Sequence, residues 1–312
     1  MHVESTTAAR RVRSFALAPV WFLRLAALEL FALWLIVATG AAVRLTASGL
    51  GCRHWPGCEA GHPLPAKDYH AFIEFGNRLV GGVTIVLTLL VAVAAWRTPL
   101  GRGGRRLAVV LFAGTLAQAP LGYLAVKTDL RWPVVMAHLL LSMLLIAGAV
   151  LLVFAAAETV GGRTDPFVPL ELRRLGVAVA ALALGLLVSG AFATAAGPHA
   201  GGGTEHVARV ARLEPVVFVH AGIVAVFGCS FLFVLGYLFA RRERAPRLFR
   251  FALAVLAILL VQVGLGELQY RLHLPWYLVL IHVAVAATAW LGIVALVTAF
   301  WRPPRSLEPG AT

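Results

Sequence analysis

The chain contains eight apolar runs, and their length constrains its fold more than any other feature. A helix needs roughly 20 apolar residues to cross about 30 Å of hydrocarbon. Alternating strand patterns are absent and the runs exceed strand length, which argues against a barrel. We therefore predict an all-α integral membrane protein with eight transmembrane helices. The predicted spans lie near residues 21–43, 71–95, 107–126, 132–157, 175–196, 215–240, 251–270 and 275–301.

Composition and charge placement agree with this class. The 312 residues are 60% hydrophobic and 13% charged, which excludes an ordinary soluble domain. The net charge of +13 does not indicate a nucleic-acid partner, because the arginines lie in connections at alternate helix ends. The positive-inside rule assigns that side to the cytoplasm, with both termini there. We expect a bacterial cytoplasmic membrane, and a first span retained as an anchor because no clear cleavage site follows it.

A sequence unit occurs twice within the apolar runs. Five residues recur exactly 144 positions later: Gln118, Leu121, Gly122, Trp132 and His138 correspond to Gln262, Leu265, Gly266, Trp276 and His282. The longest cytoplasmic link, 158–174, separates four predicted helices from four others. We therefore predict two pseudo-symmetric four-helix bundles, residues 1–160 and 161–312.

Four polar side chains are predicted at one depth in these bundles. Asn77, His138, His220 and His282 each follow the outer start of an even-numbered helix, roughly 9 Å below the external membrane surface. Facing imidazoles in a bundle can ligate both axial positions of a heme iron. Zinc fits less well, because two nitrogens per half do not complete a tetrahedron. The alternative is that each histidine only hydrogen-bonds a neighbouring helix.

The first half departs from the second at Asn77. Glu74 lies one turn earlier on the same helix face, and Arg78 is its nearest candidate partner. One interpretation is an interfacial ion pair between Glu74 and Arg78. The other places Glu74 beside a bound substrate as an acid, a base or an electrostatic stabiliser, with His138 opposite as the strong ligand.

Two long external connections, 44–70 and 197–214, are rich in Gly, Pro and His. Cys52 and Cys58 lie in the first, where an oxidising compartment favours a disulfide that is either a structural staple or a redox-active pair. Cys229, inside helix six, is interpreted as a small apolar residue. The remaining external histidines are expected to be solvated or to face heme propionates; they are His54, His62, His70, His199, His206 and His273.

Together these motifs resemble the heme A synthase family over nearly the whole chain. The resemblance rests on the SGLGC(x5)C loop, on IEFGNR at the head of helix two, on QxxLG(x15)H present twice, and on AGPHAG after helix five. It implies oxidation of a methyl group of heme O to a formyl group. It also implies heme B held by His220 and His282, and heme O received in the N-terminal half near Glu74, His138, Asn77 and Arg78.

The resemblance implies partners as well. Heme O synthase, a farnesyltransferase, would supply the substrate, and heme-copper oxidase assembly would use the product. A second copy of the chain is a further candidate partner. Two other functions remain open from the residues: a diheme b-type electron carrier, which needs histidine pairs in both halves, and a heme transfer or export protein. The sequence identifies no electron acceptor.

Overall fold

The computed structural model describes residues 16–52, 54–55, 57–59, 61, 64–65, 67–202 and 210–307. Eight long helices fill this part of the chain, and it contains no β-strand. All eight are long and apolar enough to cross a membrane. The helices are α1 Pro19–Leu45, α2 Tyr69–Ala95, α3 Arg102–Lys127, α4 Trp132–Gly161, α5 Leu170–Ala196, α6 Leu213–Ala240, α7 Pro246–Arg271 and α8 Trp276–Trp301.

Local signals explain several helix starts. Asp68 caps α2, its carboxylate accepting from the backbone N–H of Ala71 at 2.9 Å. Proline occupies the first turn of α1, α4 and α7, where its missing N–H leaves no helical bond unmade. These starts agree with the predicted spans, although α3, α5 and α7 begin about five residues before their apolar runs because their first turns carry arginine.

The helices pack as two rings joined through their first and last members. In each ring, neighbouring helices in sequence are in contact and the first helix also contacts the fourth. In the second ring α6 and α7 pack loosely, whereas the equivalent α2 and α3 pack closely. Helices α1 and α4 contact α8, where the Trp34 indole donates to Thr288 Oγ1 at 3.0 Å and the Trp290 indole donates to the Met143 carbonyl at 2.8 Å.

Each end of the bundle also links the two rings. We call the end that carries connections 46–68 and 197–212 the loop side, and the opposite end the arginine side. On the loop side, Arg44 at the end of α1 donates to the carbonyls of Thr194 and His199, both at 2.9 Å. On the arginine side, Arg302 after α8 binds both carboxylate oxygens of Glu158 in α4, at 2.6 and 2.7 Å.

Candidate functional site

The four polar side chains predicted at one depth occupy equivalent places in the structure. Each lies in the first third of α2, α4, α6 or α8, and each faces a glycine of the preceding helix. A Cβ added to Gly122, Gly190 or Gly266 would lie 3.6, 3.4 or 3.2 Å from the Cε1 atom of the facing histidine ring. Gly266 is the tightest of the three, so its missing side chain makes room for the imidazole of His282, whereas a Cβ at Gly122 or Gly190 would be at ordinary contact distance.

Hydroxyl groups orient two of these four side chains. Ser189 Oγ lies 2.8 Å from Nδ1 of His220, and Thr39 Oγ1 donates to Oδ1 of Asn77 at the same distance. Ser189 and Thr39 each precede the glycine that faces the same side chain. The contact with Ser189 leaves Nε2 of His220 as the nitrogen able to bind a metal, an arrangement typical of oriented histidine ligands.

The two glutamines of the repeat behave differently. Gln262 Nε2 lies 3.0 Å from Nε2 of His282, so it contacts the ring itself. Gln118 instead donates to Ser142 Oγ at 2.6 Å and to the backbone carbonyl of His138 at 3.1 Å. Nδ1 of His138 is buried and has no hydrogen-bond partner in the described part of the chain, and the same holds for Nδ1 of His282. The repeated glutamine therefore contacts the imidazole ring in the second half and the backbone carbonyl of the histidine in the first half.

A large cavity in the second ring contains both of its histidines. The cavity has a volume of about 1180 Å³, slightly above the roughly 300–1,000 Å³ usual for ligand pockets. His220 and His282 line it, and most other lining residues are apolar side chains of α5 to α8. Two imidazoles in an apolar cavity of this size fit a heme with two axial histidine ligands.

Glu74 and Arg78 anchor the disulfide loop to α2. Cys52 and Cys58 form a disulfide, and the backbone N–H of Cys52 donates to Glu74 Oε2 at 2.8 Å. Arg78 Nη2 donates to Glu74 Oε1 at 2.5 Å, and Arg78 Nη1 donates to the carbonyls of His54 and Gly57, both at 2.6 Å. Glu74 is only 4% exposed. The ion pair considered from the sequence is therefore present, and it also fixes the loop.

The other histidines of the loop side have several environments. His70 Nδ1 lies 3.0 Å from Ser48 Oγ, and His199 Nε2 lies 2.7 Å from the carbonyl of Leu274. His199 therefore joins the second loop to the α7–α8 turn, which was not predicted. His273 is exposed, whereas His62 and His206 fall outside the described residues.

Two interior features were missed in the sequence. Glu29 lies fully buried in α1, and Arg44 ties α1 to the loop after α5. A single carboxylate inside an apolar run was a usable signal for the first. No local pattern indicated the second, because the partners of Arg44 are backbone carbonyls about 150 residues away.

Two comparisons with known proteins match nearly the whole chain. The COX15-CtaA family, described as cytochrome oxidase assembly protein, matches residues 23–294. A heme A synthase of Shewanella oneidensis is 26% identical over 92% of this chain and 98% of its own length.

Two other relatives share only part of their length with this chain. A heme A synthase of Bacillus pumilus is 32% identical over 47% of this chain and 49% of its own. A protoheme IX farnesyltransferase of Thermus thermophilus is 31% identical over 89% of this chain and 48% of its own. The chain thus covers about half the length of these two relatives. Because the family match spans nearly all eight helices, the chain belongs to the COX15-CtaA family of cytochrome oxidase assembly proteins, the heme A synthase family that its motifs indicate.

Proposed function

We propose that this protein is a heme A synthase, an oxidoreductase that converts a methyl group of heme O to the formyl group of heme A. The observation that carries the proposal is the inequality of two equivalent sites. The second ring pairs His220 with His282 around an apolar cavity. The first ring offers His138 with Asn77, whose amide takes the place of the second imidazole.

In this proposal the two halves of the chain bind different hemes. Residues 161–312 form the bundle that would retain heme B, and His220 and His282 are the residues that would hold it. Residues 1–160 form the bundle that receives heme O, with His138 as the strong ligand. Asparagine is a poor iron ligand, so one axial position of the substrate iron is left to a weaker group. Heme B, when bound, supplies one-electron redox chemistry.

Glu74 is the catalytic residue that we propose. It lies one helical turn from Asn77 on the same face of α2, so its charge is close to the level of the substrate. Hydrogen bonds from Cys52 N–H and Arg78 hold both carboxylate oxygens. A fixed carboxylate in a low-dielectric site stabilises positive charge that develops as the methyl group is oxidised. Arg78 positions Glu74 and the disulfide loop over the site.

We also propose an orientation and partners. The arginine side faces the cytoplasm of a bacterial cytoplasmic membrane, both termini lie there, and the heme sites lie toward the external side. Heme O synthase supplies the substrate, and heme-copper oxidase assembly takes the product. The Thermus thermophilus farnesyltransferase supports this pathway, because a segment similar to most of this chain lies within that longer protein.

The test is heme analysis of cells that make heme O and express this protein. We expect heme A in extracts from cells with the wild-type protein, and a loss of about tenfold or more with Glu74→Gln, since one charged electrostatic contact is removed. Glu243→Gln is the matched control, because Glu243 is an exposed glutamate in the α6–α7 turn on the arginine side and does not line the cavity. Normal heme A yield from Glu74→Gln would remove the catalytic role. Accumulation of heme O with no heme A from the wild type would refute the proposed activity.

A further inference from the structure

Glu29 is a buried carboxyl group to which the proposed function assigns no task. None of its side chain is exposed, and neither carboxylate oxygen has a hydrogen-bond partner among the residues that the structure describes. It lies in the middle of α1, on a buried stripe otherwise formed by Phe22, Ala26, Leu33 and Val37. An unpartnered carboxyl at membrane depth is costly, and such groups are usually kept for proton or ion transfer.

The packing of α1 against α2 places Glu29 opposite a buried threonine. A Cβ on Gly40 would lie 3.9 Å from Asn77 Oδ1, and a Cβ on Gly81 would lie 3.9 Å from Ile36 Cδ1. Four residues along α1 toward the arginine side therefore match four residues along α2 in the same direction. Continuing this antiparallel register brings Glu29 to the level of Thr88, which is also 0% exposed.

Polar side chains connect that level with the N-terminal site. Asn77, Thr84 and Thr88 lie on one face of α2, at intervals of seven and four residues, and span about 16 Å. Thr84 and Thr88 donate to the carbonyls of Val80 and Ile85, at 2.8 and 2.9 Å, so their oxygens remain free to accept. Thr84 and Thr88 lie one helical turn apart, a distance that one ordered water can bridge, whereas the rise of about 10 Å from Asn77 to Thr84 needs a chain of several waters. We call Asn77, Thr84, Thr88 and Glu29 the polar seam.

The second ring shows that the scaffold does not require the seam. The alignment that relates Thr39 to Ser189 carries Glu29 onto Val179. The alignment that relates Asn77 to His220 carries Thr84 and Thr88 onto Phe227 and Phe231. Each polar residue of the seam beyond Asn77 thus has an apolar counterpart, and both phenylalanines line the cavity of the second ring. The seam belongs to the first ring alone.

The polar seam extends from Glu29 toward the loop side of the bundle. Between Glu29 and the arginine side, the buried neighbours Phe22, Ala26, Val91 and Ala95 are apolar. The helices packed on α1 carry no ionisable residue between Arg78 and Trp96 in α2, between His138 and Glu158 in α4, or between His282 and Arg302 in α8. Glu29 is therefore the one ionisable group at its level in the described part of these helices, and its polar connection runs toward the N-terminal site.

We propose that Glu29 is a proton-exchange site for the N-terminal half, linked to it by the polar seam. The carboxyl O–H bond breaks, the proton passes along water and threonine oxygens toward the level of Asn77, and a returning proton restores the acid. No electron is transferred in this step. The source of the returning proton rests on the proposed function, because oxidation of a methyl carbon would release a proton near Asn77, where bulk water is excluded, and the Glu29 carboxylate would take it up.

The test follows the Glu29 carboxyl group by infrared spectroscopy of the purified full-length protein. A protonated carboxyl C=O band should be present in the wild type and missing from Glu29→Gln. After transfer to D₂O, Thr88→Val should slow the deuterium shift of this band about tenfold or more, because its route to solvent loses a polar step. Thr298→Val is the matched control, since Thr298 is a buried threonine of α8 that donates to the carbonyl of Val294 and lies outside the seam.

The outcomes separate this proposal from the proposed function. Equal deuterium shift rates in the wild type and Thr88→Val, or no band lost in Glu29→Gln, would overturn the seam. If Thr88→Val does not fold, Thr84→Val gives the same comparison. Glu29→Gln should also lower the heme A yield severalfold while the heme B content stays unchanged. A wild type that makes no heme A would refute the synthase activity. The deuterium exchange rates would still show whether the polar seam connects Glu29 to solvent.

Discussion

At the scale of single residues, the candidate sites depend on small groups that seat and orient larger ones. Gly266 leaves space for the ring of His282, and Ser189 contacts the nitrogen of His220 that is not needed for a metal. The same arrangement holds Asn77 through Thr39. One scaffold therefore presents either an imidazole or an amide at the same depth, and the chemistry of each site follows from that choice.

Gly266 offers a direct test of this seating. We expect Gly266→Val to weaken heme retention in the second ring about tenfold, because overpacking costs about 1–3 kcal/mol and displaces the His282 ring. Gly264→Val is the control, since a Cβ at Gly264 meets open space. Heme B content per purified protein is the measurement. Equal heme loss in both variants would show that the space beside His282 is not needed.

At the scale of elements, α2 and the disulfide loop form one unit. Glu74 and Arg78 satisfy a loop N–H and loop carbonyls, so the loop is held by charged hydrogen bonds as well as by the Cys52–Cys58 disulfide. The chain also contains the same pair type at Glu267 and Arg271, where it is exposed and binds nothing else that the structure describes. Burial and the added loop contacts distinguish the two pairs.

This difference predicts that an Arg→Lys substitution lowers stability more at Arg78 than at Arg271. Arg78→Lys should lower stability by about 1.5–3 kcal/mol, because an ammonium group cannot reproduce the hydrogen bonds of the guanidinium fork. Arg271→Lys should change stability by less than about 0.5 kcal/mol, as expected for an exposed i, i+4 pair. Thermal unfolding of the detergent-solubilised protein measures both. Similar melting temperatures for the two variants would contradict the anchoring role of Arg78.

The eight helices were the part of the structure that the sequence predicted best. Hydropathy alone placed all eight helices, because each buries backbone polar groups over a full membrane span. The internal repeat related His138 to His282 and indicated their equal depth. The ion pair of Glu74 was recognised as an alternative, but its loop partners were not, because backbone groups leave no signature in a sequence. The burial of Glu29 depended on the register of α1 and α2, which only the packed structure supplies.

At the scale of the whole molecule, two similar rings perform unequal tasks in this account. The second ring combines an apolar cavity with two histidines and has Phe227 and Phe231 in the cavity lining. The first ring combines His138 and Asn77 with the disulfide loop and the polar seam. Contacts of α8 with α1 and α4, and the pair Glu158–Arg302, hold the rings together. The duplication thus supplies one four-helix scaffold twice, with a large apolar cavity in the second copy and different polar residues in the first.

The most direct test of this account is the identity of the hemes that remain when one ring loses its histidine. We predict that His220→Ala, purified from cells that make heme O, loses heme B and keeps heme O or heme A. His138→Ala should do the reverse. Extraction followed by chromatography of the hemes measures both. Loss of heme B from both variants to the same extent, or heme B as the pigment of both rings in the wild type, would contradict the division into a retaining site and a reacting site.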